Sequence, residues 1–285
     1  MAFNVQTFLT RLGSAAIFSA IMLLAFLSRE WAFAALFLVV NFLCLREYAL
    51  ILEKILQVSF TRNEKANFYF TGMAAYLFVC SMQMHACTNL LQQVMHKQIF
   101  YFLGLLIGAV IMFFVFRKNK KSVLLLTGIG YISIALGLLV QLRYQSLLLP
   151  VILLLFIWMN DTMAYLCGSF FGRTPFFPAI SPKKTIEGTV GGILFTMAFA
   201  ALWGYFYHVF PLVHWILFGL MASLIGTIGD LIESKLKRMA GIKDSGNLMP
   251  GHGGALDRFD SLLFTAPFAF LYALLCMECL EIMVF

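Results

Sequence analysis

Apolar runs of membrane-spanning length recur along the chain, and they decide what solvent it can fold in. A helix crossing a bilayer needs about 20 mostly apolar residues. The stretches between polar interruptions predict nine spans, at roughly 12–28, 31–52, 68–86, 99–116, 122–140, 147–170, 189–208, 212–232 and 261–284. Only Arg29 and Glu30 separate the first two. Hydrophobic residues make up 62% of the 285 and charged ones 12%, against roughly 45–50% and about 25% in soluble domains. No aqueous core could hide so much apolar surface. The expected fold class is an all-α polytopic integral membrane protein, about nine transmembrane helices with a cytoplasmic-facing polar cavity.

The basic residues predict a direction. With the N-terminus inside, 17 of the 20 Lys and Arg fall on the cytoplasmic side, leaving Arg29, Lys97 and Arg143 outside. Cytoplasmic loops are enriched in Lys and Arg, so the asymmetry supports both the span count and a cytoplasmic N-terminus. The first apolar stretch lacks a small-residue cleavage site and reads as a retained helix rather than a signal peptide. Cys276 and Cys279 form a C-x-x-C. With no second Cys pair or nearby His, they read as small apolar packing residues. Residues 1–146, about five spans, show nothing diagnostic, whereas 147–285 carry about four spans and the polar chemistry.

That chemistry concentrates between Asp230 and Asp260. Asp230 closes an apolar span, and Asp257 and Asp260 stand where the last one begins, three apart and so on one helix face. Ionised groups at membrane depth are costly and usually functional. Antiparallel neighbours could bring the three acids together, where a hard cation such as Mg²⁺ would relieve their repulsion. Between them lie Gly241, Gly246, Gly251, Gly253 and Gly254, with Lys237, Arg238, Lys243 and His252, and Arg258 follows. Glycines allow close backbone approach to an anion, and Lys and Arg supply charge-assisted hydrogen bonds to phosphate. Metal-binding acids beside a cationic glycine loop suit phosphoryl or nucleotidyl transfer. Upstream, Asp161 is a lone acid in an apolar span, and Lys183 and Lys184 precede a predicted helix start, a natural anion site.

These residues resemble a known family. Ser234, Leu236, Lys237-Arg238, Lys243-Asp244, Gly246, Pro250, His252-Gly253-Gly254, Asp257-Arg258 and Asp260 are similar to the 27-residue signature of the phosphatidate cytidylyltransferases (CDP-diacylglycerol synthases). Met249 and Ala255 depart from it, standing where larger or branched apolar residues are usual. Trp158 to Tyr165 and Ser181 to Gly188 resemble two further motifs of that family.

The resemblance implies cytidylyl transfer from CTP to phosphatidate, yielding CDP-diacylglycerol and pyrophosphate in phospholipid biosynthesis. It implies catalytic roles for Asp230, Asp257, Asp260 and Lys243. Asp230 and Asp257 are expected as the principal Mg²⁺ ligands, with Asp260 either touching the ion or standing just behind them, and with room for a second cation. Lys237, Arg238, Lys243 and Arg258 are expected on the triphosphate. Ser181, Lys183 and Lys184 are expected at the lipid phosphate, and Asp161 lining the cavity. His252 is expected on a phosphate or the cytidine. The setting implied is a lipid bilayer, a bacterial inner membrane, with the active site cytoplasmic and no nucleic acid as partner. A homodimer through Gly104 and Gly108 is an open alternative to packing within the chain. Two rival readings remain: a CTP-dependent enzyme with another lipid acceptor, such as an isoprenoid, and an ion-coupled transporter using the intramembrane acids.

Overall fold

The computed structural model describes residue 13 and residues 19–82, 120–248 and 253–277. Helices dominate. They are α1 (Glu30–Leu56), α2 (Arg62–Ser81), α3 (Lys120–Gly128), α4 (Ala135–Gln145), α5 (Leu148–Phe171), α6 (Ile186–Phe206), α7 (Leu212–Met239) and α8 (Leu256–Tyr272). A π-helical segment, Ile129–Ile134, joins α3 to α4 into one rod, and another, Ala273–Met277, extends α8. Between α5 and α6 lies a small antiparallel hairpin, β1 (Pro175–Phe177) and β2 (Ser181–Thr185), with Phe177 opposite Ser181 and Pro175 opposite Thr185.

Six helices among the described residues are long and apolar enough to cross a membrane: Glu30–Leu56, Lys121–Gln145, Leu148–Phe171, Ile186–Phe206, Leu212–Met239 and Leu256–Cys276. They coincide with six of the nine expected spans. The expected span at 99–116 lies outside the described residues, as do residues 12 and 14–18 of that at 12–28, and Gly104 and Gly108. The expected span at 68–86 corresponds in part to α2, whose first turn carries Arg62, Glu64 and Lys65. On α6, Val190, Leu194, Phe195, Leu202, Tyr205 and Phe206 point outward. A helix apolar on its exposed face as well as its packed one is matched to lipid.

Why α5, α6 and α7 pack side by side is written in small residues. Gly188 and Gly192 are buried, and a Cβ on Gly188 would come within 2.6 Å of the Ala164 carbonyl oxygen. A Cβ on Gly192 would meet the Asn160 carbonyl at 2.8 Å. The glycines after Lys184 therefore serve close helix approach. Thr185 caps α6 by accepting from the Gly188 amide at 3.1 Å, and Glu187 accepts the amides of Arg173 and Thr174, pinning the hairpin to the helix start. Aromatic rings brace the other side. Phe33 and Phe37 on α1 lie 4.6 Å apart, and Phe37 meets Phe259 on α8 at 6.0 Å. These contacts tie the N-terminal helices to the helix that bears Asp257 and Asp260.

The loop joining the last two spans is shorter than the charged, glycine-rich segment between Asp230 and Asp260 suggests. Helix α7 continues through Glu233 and Lys237 to Met239, and α8 already begins at Leu256. Glu-Ser-Lys-Leu-Lys-Arg is made largely of good helix formers, so the helix runs past the point where its apolar pattern stops.

Candidate active site

One turn of α7 and the first turns of α8 face each other across a cluster of acids. Asp230, Glu233 and Asp260 each place a carboxylate oxygen within 4.8 Å of the others. Asp230 and Glu233 are three residues apart and share a helix face. Glu233 is fully buried; Lys237, one turn on, pairs with its Oε2, and Oε1 has no hydrogen-bond partner among the described residues. Three convergent carboxylates, one with a buried oxygen that meets no donor, fit a hard divalent cation held by oxygen ligands.

Two lysines border the cluster. Lys184, carried by β2, pairs with Asp230, whose other oxygen accepts from the Ser234 hydroxyl at 3.2 Å. Lys237 is only 9% exposed. It pairs with Glu233 and donates to Asp257 Oδ1 at 2.6 Å. Asp257 thus lies beside the cluster rather than in it. Its second oxygen accepts from the backbone amides of Ser245 and Gly254, both at 2.8 Å. Asp161 on α5 is exposed and interacts electrostatically with Asp230 and Lys184. The expected metal residues Asp230 and Asp260 are therefore brought together, with Glu233 as the third acid and Asp257 joined to them through Lys237.

This arrangement occurs in a chain with clear relatives. A model described as the cytidylyltransferase family matches residues 9–276. The chain belongs to the cytidylyltransferase family. A protein named phosphatidate cytidylyltransferase from Staphylococcus aureus is 40% identical over 164 residues, 55% of this chain and 63% of that protein. Its namesake from Bacillus subtilis is 46% identical over 122 residues, 42% and 45% of the two chains. That from Aquifex aeolicus is 39% identical over 171 residues, 58% and 63%. The match spans less than two thirds of the length of each of these relatives.

In this cytidylyltransferase-family chain the remaining cations lie nearer the surface. Lys183, Arg238, Lys243 and Arg258 are exposed, and Ser181 is half-buried on the hairpin. Arg238 reaches back to the hairpin, its Nε donating to the Ile180 carbonyl at 3.2 Å. Lys237 alone of the expected triphosphate cations is buried against acids. His252 lies outside the described residues.

The signature glycines have a different tenant from the one the sequence suggested. Gly253 sits at φ +82°, where L side chains are disfavoured, and a Cβ there would strike the Asp257 carboxylate. A Cβ on Gly246 would lie 2.5 Å from Glu47 Oε1, and one on Gly254 would also strike the Glu47 carboxylate. The anions these three glycines make room for belong to the protein itself.

Beside the hairpin, an apolar cavity of about 420 Å³ opens between β1, α6 and α7, lined by Phe176, Phe177, Ile193, Leu224, Ile228 and Leu231 among others. Thr227, which also lines it, accepts from Asn160 Nδ2 at 3.4 Å. Its lining on α7 includes Leu231, the residue next to Asp230 in sequence.

Proposed function

We propose that this chain transfers the cytidylyl group of CTP to phosphatidate, forming CDP-diacylglycerol and releasing pyrophosphate. The observation that carries this reading is the convergence of Asp230, Glu233 and Asp260, with Lys184 reaching their edge from the hairpin beside an apolar cavity. Family membership and the names of the relatives support the choice of reaction.

A phosphate oxygen of the lipid attacks the α-phosphorus of CTP, the α–β anhydride bond breaks, and pyrophosphate leaves with the electron pair. The nucleophile is already ionised near neutral pH, so no Ser–His pair is needed. Positioning and charge stabilisation carry the catalysis. Asp230, Glu233 and Asp260 would hold Mg²⁺, which when bound supplies charge neutralisation at the phosphates; Asp257 stands behind them, and a second cation remains part of the proposal. Lys184, with Ser181 and Lys183, receives the lipid phosphate. Arg238, Lys243 and Arg258 hold the triphosphate, and Lys237 keeps Glu233 and Asp257 apart in charge while remaining close enough to share that task. Asp161 lines the polar approach, and His252 is assigned to a phosphate or the cytidine. The chain is proposed to lie in a bacterial inner membrane with nine spans, its N-terminus and polar cavity cytoplasmic. A homodimer is compatible with this reading.

The deciding experiment is pyrophosphate release by purified protein in detergent, with CTP, phosphatidate and Mg²⁺ each omitted in turn. Release that needs all three supports the proposal. Release with an isoprenoid acceptor in place of phosphatidate would move the reaction to another lipid. Ion flux in liposomes without CTP would replace it by transport.

The apolar cavity gives a narrower test. If it takes an acyl chain, Ile193→Trp should raise the KM for phosphatidate roughly 10-fold, the scale on which pocket shape discriminates apolar groups, and leave the KM for CTP unchanged. Unchanged kinetics with long-chain phosphatidate would remove the cavity from the acceptor site.

A further inference from the structure

Glu47 lies on α1, about two hundred residues from the signature loop in sequence, and is buried at 8% exposure. Its carboxylate accepts three hydrogen bonds, all from that distant segment. The Ser245 hydroxyl donates to Oε2 at 2.6 Å, the Leu256 amide to Oε2 at 2.8 Å, and the Ala255 amide to Oε1 at 2.9 Å. Ala255 and Leu256 form the N-terminus of α8, whose orphan amides and positive dipole end stabilise a carboxylate placed there. A capping group ordinarily comes from the helix's own sequence. Here it comes from another helix, so the cap also fixes where α8 begins relative to α1.

The consequence reaches the acids through Ser245. Its amide donates to Asp257 Oδ2 at 2.8 Å, and its hydroxyl lies 3.0 Å from the same oxygen while donating to Glu47. Asp257 in turn holds Lys237, and Lys237 holds Glu233. The chain Glu47, Ser245, Asp257, Lys237, Glu233 is continuous. Gly246 and Gly254 lie directly against the Glu47 carboxylate, so that a Cβ at either position would strike it.

We infer that Glu47 is a positioning residue for cytidylyl transfer: through Ser245 and the first turn of α8 it sets the placement of Asp257 and Asp260 against Asp230 and Glu233. This rests on the proposed reaction, but the clamp itself has a readout that does not. In Glu47→Gln one acceptor oxygen becomes a donor and must face an amide or hydroxyl that is itself a donor. Leaving such groups unpaired in a buried site loosens the segment locally.

Wild type, Glu47→Gln, Glu47→Asp and Gly246→Ala are purified in detergent and compared by hydrogen exchange and by steady-state kinetics. Exchange at the Ser245, Ala255 and Leu256 amides should quicken at least about 10-fold in Glu47→Gln, with α5 and α6 unchanged. The value of kcat should fall about 10- to 100-fold, the scale of a sub-ångström to 1 Å misplacement, while the KM for phosphatidate stays within about twofold. Glu47→Asp, which keeps the charge, should recover part of both effects, and Gly246→Ala should reproduce them by pushing on the carboxylate from the loop side. Wild-type exchange at those amides in both Glu47→Gln and Gly246→Ala would overturn the clamp. So would loosening spread evenly over the bundle, which marks a general stability residue. Faster local exchange with unchanged kcat would overturn the positioning role. If the wild type transfers no cytidylyl group, the proposed reaction fails, and the exchange comparison still decides the clamp.

Discussion

Asp260→Asn should cut cytidylyl transfer by a factor on the order of 10³ and raise the Mg²⁺ concentration needed for half-maximal rate. The expectation comes from position. Asp260 is one of three acids whose oxygens lie within 4.8 Å of one another, and its only hydrogen bond among the described residues is from the neighbouring Ser261 amide, at 2.6 Å. It is not already committed to a lysine. Neutralising it removes a third of the formal negative charge available to a divalent cation, and losses of about 10²–10³ follow removal of a single well-placed charge-stabilising group.

Asp257→Asn should behave differently, and the contrast is the sharper test. Asp257 already accepts from Lys237, Ser245 and Gly254. Replacing it disturbs the neighbours of the cluster rather than the cluster itself. Turnover should fall by about 10- to 100-fold, as for outer partners of metal ligands, at saturating Mg²⁺ and with little change in the Mg²⁺ requirement. Steady-state rates across a Mg²⁺ series, on variants shown to be monodisperse in detergent, separate the two. If Asp257→Asn shifted the Mg²⁺ dependence and Asp260→Asn did not, Asp257 would replace Asp260 among the proposed ligands.

How these residues divide into legible and hidden follows from the range of the forces that place them. Asp230, Asp257 and Asp260 stand out because an ionised group in an apolar run is conspicuous wherever the run is read. Glu233 was within reach, since it stands three residues after Asp230, the spacing already noted for Asp257 and Asp260. It was obscured because the apolar pattern ends at about residue 232, and a glutamate followed by lysines looks like a solvated helix end. Glu47 had a weaker signal. It follows Arg46 inside an otherwise apolar stretch, and adjacent opposite charges suggest a span boundary. Nothing local reveals that its partners are Ser245, Ala255 and Leu256. The hairpin over 175–185 escaped because its stability comes from tertiary anchors: Glu187 on the Arg173 and Thr174 amides, and Arg238 on the Ile180 carbonyl. Close backbone approach to an anion is found at Gly246, Gly253 and Gly254, whereas a Cβ on Gly241 would meet nothing within 4 Å and Gly251 lies outside the described residues. That the anion at Gly246 and Gly254 is Glu47 depends on a helix about two hundred residues away.

Lys237→Met carries the largest expected effect on stability. The ammonium is the shared counter-charge of two buried acids, with side-chain exposures of 11% for Lys237, 0% for Glu233 and 8% for Asp257. Removing one partner of a buried ion pair strands the other, and such losses run to about 3–5 kcal/mol. Here two carboxylates would be stranded within one turn of helix, beside Asp230 and Asp260. The unfolding midpoint in detergent without Mg²⁺ should drop accordingly. A cation bound at Asp230, Glu233 and Asp260 would supply part of the missing charge, so the deficit should narrow as Mg²⁺ is raised, by the linkage that stabilises any state binding a ligand. Glu233→Gln combined with Lys237→Met should be more stable than Lys237→Met alone, because the second substitution removes a charge the first left uncompensated. That recovery should not come with activity, since Glu233 is proposed to hold the metal. A Lys237→Met protein that unfolds like wild type in the absence of Mg²⁺ would mean that the two acids do not depend on this lysine for their charge, and the chain of contacts from Glu47 to Glu233 would end at Asp257.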